Sequence, residues 1–219
     1  MSVGMLEERW TSFCRRTGVY SDDSKAAYNQ IVTSYSEQHR AYHTLSHIAD
    51  CLDVFDTVRN QFEHPDAAEM AIWMHDICYD IFAEDNELKS AKKAYVLSQR
   101  LGFEEDLCEL VYLFISSTDH LTVPKDTDTK WMVDIELILD IDLSIFGKQP
   151  KEYDVCEDYI KKEYVTLGGI PEEKFKSGRI QILKEFLNRQ TIYRTDVFGT
   201  IYEEQARLNI KSTIEILRR

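Results

Sequence analysis

The sequence predicts an all-α fold in a single domain, on three observations. Apolar residues recur at helical spacing along nearly all of the 219 residues. No stretch shows the period-two alternation of a half-buried strand. With only 8 Gly and 4 Pro, the chain has too few tight-turn formers for a sandwich or barrel.

Each element has its own signal. Leu6, Trp10 and Phe13 keep helical spacing and predict a short docking helix. Asp22 and Asp23 cap a second helix with Ala26, Ala27, Ile31, Val32 and Tyr35 on its apolar positions. After the polar stretch Glu37 to Tyr42, the stripe Leu45, Ile48, Cys51, Leu52, Phe55 and Val58 repeats every 3.6 residues. His64-Pro65-Asp66 reads as a turn and helix start, and a helix from about Ala67 to about Phe82 follows. Ala83 to Asn86 breaks that pattern and caps a helix through about Leu101, stopped by Gly102. Glu105 to Ser117 forms the next helix and ends in Ser-Ser-Thr-Asp-His; Pro124 to Thr129 is a polar loop.

Trp131, Met132, Ile135, Leu137, Ile138, Leu139, Ile141 and Ile145 define a helix apolar on most sides. Such a helix belongs in the middle of a core, and this one carries Asp134, Asp140 and Asp142 inside it. Tyr153 to Tyr164, Glu172 to Asn188 and Tyr202 to Leu217 read as three more amphipathic helices, and Gly168-Gly169-Ile170-Pro171 is the clearest break between them.

The formal net charge of −13 argues against a nucleic-acid polymer or an anionic membrane as partner, since both need a basic face. A small phosphate ligand stays open, because a bound cation reverses the local sign. Five scattered cysteines, none in a CxxC spacing, read as reduced thiols in a reducing compartment. Residues 1–20 carry Glu7, Glu8, Arg9, Arg15 and Arg16, which leaves no secretory apolar region. No apolar run reaches membrane-spanning length. The expected location is the cytoplasm.

The chemistry concentrates at Ala71 to Asp80, AIWMHDICYD, where an apolar helix face delivers His75 beside Asp76. Burying an imidazole next to a carboxylate is costly unless the two are paired or hold a metal. Upstream, Tyr42-His43-Thr44-Leu45-Ser46-His47 sets two histidines four apart at a helix start, so both rings project from one face. With Asp142 these are the parts of a mixed nitrogen and oxygen metal site. Imidazoles together with carboxylates suit Mn, Fe, Co, Zn or Mg rather than a thiolate site.

These stretches occur in a particular order: Arg40 to Ile48, His75 to Asp80, Asp85 to Ala91, Asp140 to Gly147, Gly178-Arg179, and Ala206-Arg207 with Asn209. In that order they resemble the HD superfamily of metal-dependent phosphohydrolases. Within it, a closer likeness is to a branch with the pattern RxYHT–HI, HDxxYD, DNExxSA, DxDLxIxG, a late G-R and AR-N. It covers nearly the whole chain from Arg40 onward. The resemblance implies a helical bundle of about eight to ten helices, with the metal site within about residues 40–147 and helices over 150–219 packed on it. It also implies His47, His75, Asp76 and Asp142 as metal ligands, one or two ions, and a metal-bound hydroxide attacking a small phosphorylated or nucleotide-like metabolite.

The Tyr-His pair before a ligand histidine also resembles the YHN–H stretch of cyclic-nucleotide phosphodiesterases, with Thr44 here in place of asparagine. That likeness implies His43 as the general acid for the leaving oxygen. Asp76 is the candidate bridge to a second ion, which would clamp the phosphoryl group from both sides. Between Asp140 and Asp142 the flanking apolar residues do not decide, and the resemblance favours Asp142. Arg40, His120 and Arg179 are candidate substrate contacts, each also readable as structural: ion-pair partners for the arginines, a helix-end residue for His120. Asp85 and Asn86 read as a turn and an N-cap. Two alternatives stand beside the hydrolase. One is an HD-fold di-iron oxygenase, which needs further histidines; the other is a non-catalytic metal- or nucleotide-binding module.

Overall fold

The structure is a computed structural model and describes residues 3–19, 22–120 and 131–219. The loop expected over Pro124 to Thr129 lies outside these residues. Ten α-helices and no strand occur among them, so the all-α class holds. They are α1 (Val3–Arg16), α2 (Asp22–Tyr35), α3 (Leu45–Val58), α4 (Pro65–Met74), α5 (Asn86–Arg100), α6 (Glu105–Ser116), α7 (Met132–Asp142), α8 (Pro150–Lys161), α9 (Glu172–Asn188) and α10 (Asp196–Leu217). The chain divides into two compact units, residues 1–37 with 43–138 and residues 38–42 with 139–219.

In the first unit α4 is the buried axis, packed against α3, α5 and α6. Pro65 opens it at the first helical position, where the missing N–H costs nothing. Just ahead, the amides of Glu63 and His64 donate to the Asp134 carboxylate at 2.8 and 2.9 Å. Every residue from Ala67 to Met74 is buried, including Glu69. A carboxylate in that position needs partners, and α1 supplies them: Arg9 and Arg16 reach Glu69 at 3.3 and 2.5 Å. Trp10 of the same helix meets Trp73 edge-on, ring centroids 5.5 Å apart, a contact worth about 0.5–1.5 kcal/mol beyond the area buried. The expected docking helix at the N-terminus is therefore held by ion pairs as well as by its apolar face.

α4 stops at Met74, not near Phe82 as the apolar pattern suggested. Residues 75–82 form a loop of turns, bends and irregular backbone. The reason is local: the His75 ring bonds the Ile72 carbonyl at 3.0 Å, and the Ile77 amide closes a short turn onto Met74 at 3.1 Å. α5 then clamps this loop by its backbone. The Ser90 hydroxyl accepts from the Cys78 amide at 3.1 Å and donates to the Cys78 carbonyl at 3.2 Å. Asn86 bonds both the amide and the carbonyl of Asp80, at 3.1 and 2.9 Å.

In the second unit α10 packs on a 3-10 turn, Leu143–Gly147, and on α9. A Cβ at Gly147 would meet the side chain and backbone of Tyr202, with its Cα at 2.9 Å, so the close approach requires glycine. Asn209 donates to the carbonyls of Phe146 and Lys148 at 2.8 and 2.9 Å. Arg207 gathers the carbonyls of Leu187, Arg189 and Gln190 at 2.9–3.0 Å. After α8 the chain makes a π-helical turn, Lys162–Leu167. It buries Glu163, whose carboxylate accepts from the amides of Ala41 and Tyr42 at 2.8 and 2.9 Å.

Candidate metal centre

His47 lies in the first turn of α3 and is buried, with 6% exposure. His75 follows α4 and is 5% exposed. Their Nε2 atoms stand 3.2 Å apart. Asp76 Oδ2 is 3.1 Å from His75 Nε2 and 3.7 Å from His47 Nε2. The Asp76 amide donates to the hydroxyl of buried Tyr35 at 3.2 Å, which fixes the backbone that aims the carboxylate.

The chemistry of this group follows from the other nitrogen of His75. A carbonyl oxygen only accepts, so the Ile72 contact makes His75 Nδ1 the protonated one. In the neutral ring Nε2 is then a lone pair, and it faces a carboxylate oxygen at 3.1 Å. Two acceptors so close in a buried site repel unless a proton or a metal ion stands between them. A backbone carbonyl holding the far nitrogen of a histidine is also how proteins orient metal-binding imidazoles. His47 and His75 with an aspartate form a group that can hold a metal ion.

Further negative charge gathers nearby. Burial first, then the carboxylates of Asp119 and Asp76, hold Glu87 above the ordinary carboxylate range, while its own backbone hydrogen bond and His120 oppose them.

His43 sits elsewhere than helical spacing predicted. It precedes the N-cap Thr44, whose hydroxyl accepts from the Ser46 amide at 3.3 Å, so it belongs to a turn and not to the face of α3. Its ring nonetheless lies near: it stacks on Tyr79 with centroids 4.1 Å apart and meets His47 edge-on at 6.0 Å. His120 is half-buried, beyond the end of α6.

In the second unit Arg40 is buried, and Asp142 is the half-buried last residue of α7. Asp140 is fully buried. It accepts from the amides of Arg194 and Thr195 at 2.8 Å each and from the Thr195 hydroxyl at 2.7 Å. Its carboxylate is thus the acceptor that holds the start of α10, neither solvent-facing nor available as a ligand. Arg179 spends both arms on Glu157, at 3.0 and 2.5 Å. Asp85 makes no capping bond and pairs with Lys89 at 2.6 Å; the work of holding the turn falls to Asn86.

Sequence reasoning passed over the Ile72 carbonyl and the Tyr35 hydroxyl, which carry no motif; Tyr79 is the tyrosine of the HDxxYD stretch, but that pattern does not show its stacking on His43. Asn86 and Ser90 lie inside the DNExxSA stretch, and their clamp on the His-Asp loop is a structural reason for that pattern. Comparison with family models, with curated proteins and with solved structures gives no match.

Proposed function

We propose that this chain is a metal-dependent phosphohydrolase of the HD type, acting on a small phosphorylated or nucleotide-like metabolite. The observation that carries the reading is His75 Nε2, left as an acceptor by the Ile72 carbonyl and facing Asp76 Oδ2 and His47 Nε2 within 3.2 Å. The donor set fits a divalent ion of the Mn, Fe, Co, Zn or Mg group. His47, His75 and Asp76 would hold it, with Asp142 as the further ligand that the HD likeness implies. A divalent ion supplies a Lewis acid for a phosphoryl oxygen and lowers the pKa of bound water.

The remaining roles belong to the chain's own side chains. His43, held flat on Tyr79, gives its proton to the departing oxygen as imidazolium and takes one back from solvent. Asp76 would bridge to a second ion, and its carboxylate and that of Asp119 both act on the neighbouring Glu87. Arg40 and His120 remain on the substrate side of the proposal. Arg179 is left out, because Glu157 already occupies its guanidinium.

The five free cysteines suit a reducing compartment such as the cytoplasm. No helix among the described residues is long and apolar enough to cross a membrane.

The test is a panel of phosphorylated metabolites offered to the Mn²⁺-loaded protein, with phosphate release as readout. Release from at least one compound, abolished in Asp76→Ala, is expected. Metal-replete protein that releases phosphate from none of them contradicts the reading and leaves a metal-binding module.

A further inference from the structure

A groove of about 500 Å³ lies beside α5 in the first unit. That volume is in the range of small-molecule sites, about 300–1,000 Å³. Its wall includes Lys89, Lys92, Lys93 and Arg100 and, among the described residues, no carboxylate, in a chain with 39 acidic and 26 basic residues. The cations fall at i, i+3, i+4 and i+11 along α5, one face of a helix, with Val96 at i+7 between them, 55% exposed. Like charges at such spacing repel one another, so the arrangement opposes helix stability unless an anion is present.

Among the described residues, the carboxylates that pair with this face reach its two ends. Asp85 meets Lys89 at 2.6 Å and Asp23 approaches Arg100 at 4.0 Å, both in exposed pairs that count for little. Lys93 donates to the Ser34 hydroxyl at 3.2 Å. From Lys89 to Arg100 the helix rises about 16 Å, too far for one phosphate and suited to several in a row. Cys78 forms part of the same wall, two residues after Asp76 and tied to Ser90 of α5.

We propose that this groove binds a small anion bearing two or more phosphate groups, laid along the lysines and Arg100 with Val96 offering an apolar contact. The site holds its ligand by charge on α5 and needs no metal ion, so it stands or falls apart from the metal centre.

The experiment uses the full chain treated with chelator, in low salt, titrated calorimetrically with inorganic tripolyphosphate. One-to-one binding is expected, weakened at least roughly tenfold in Lys92→Ala/Lys93→Ala. It should persist in Lys92→Arg/Lys93→Arg and in a control with two exposed lysines removed elsewhere, Lys151→Ala/Lys174→Ala. Circular dichroism verifies that each variant is folded; both groove lysines reach solvent, and Lys89→Ala serves as a second, milder variant. Three results overturn the proposal: no binding by the parent, equal loss in the control, or orthophosphate binding as tightly as tripolyphosphate. Vesicles containing phosphatidylserine form a separate arm, and attachment to them without tripolyphosphate binding also overturns it.

Discussion

The Nδ1 atom of His75 stands 3.0 Å from the carbonyl oxygen of Ile72, three residues earlier in the chain. That one bond ends α4, fixes the tautomer of a buried imidazole and turns its Nε2 lone pair toward Asp76. A helix end and a candidate ligand thus have the same cause. A helix extended past Met74 would bring the Asp76 amide to this same carbonyl, and that amide goes to the Tyr35 hydroxyl instead.

His43 should be separable from the metal. It lies 6.0 Å from His47 between ring centroids and stacks on Tyr79, outside the trio of ligand atoms. His43→Ala is expected to retain metal and fold while turnover falls by roughly 10²–10⁴-fold, the scale of a lost general acid. The comparison is made on a substrate with a poor leaving group, where the proton matters most. Unchanged turnover there would make His43 a structural ring.

Asp140 and Asp142 should part company in two different assays. Asp140→Ala takes the acceptor from the half-buried amides of Arg194 and Thr195 and should cost about 1–3 kcal/mol of stability, read by urea denaturation. Asp142→Asn should leave stability of the metal-free protein near the parent's and weaken Mn²⁺ binding by roughly tenfold or more. Parent-like Mn²⁺ affinity in Asp142→Asn would remove it from the ligand set.

Gly147→Ala is expected to destabilise the second unit by about 1–3 kcal/mol, the usual result of forcing atoms into a packed contact. The new methyl has nowhere to go, since Tyr202 occupies its place with backbone as well as ring. Thermal melting of the variant decides this; a melting temperature equal to the parent's would mean that α10 yields freely.

The helices were legible because each carries an apolar stripe, a cap or a stop of its own, such as Pro65 at the head of α4 or Gly102 after α5. What the pattern could not show was where side chains compete with the backbone. Residues 75–82 are apolar enough to look helical, yet the His75 ring bonds the Ile72 carbonyl and the Asp76 amide turns to the Tyr35 hydroxyl. The same limit applies to the motif residues of the second unit. Asp140, Arg179, Arg207 and Asn209 are polar residues in motifs, which invites a chemical reading, and all four hold backbone or an ion pair instead. His43 shows the converse: the helical spacing that suggested its partnership with His47 is absent, and the two rings meet across a turn.

The central claim is that His47, His75 and Asp76 hold a divalent ion, and elemental analysis of protein purified without chelator tests it most directly. The parent should carry Mn, Fe, Co, Zn or Mg in stoichiometric amount and melt at a lower temperature once stripped, because an ion bound only by the native state stabilises it. His75→Ala should come away with little or none. Full occupancy in His75→Ala, or a parent free of metal that also binds no Mn²⁺ when titrated, would contradict the account and leave a protonated His75 paired with Asp76 as the explanation of the geometry.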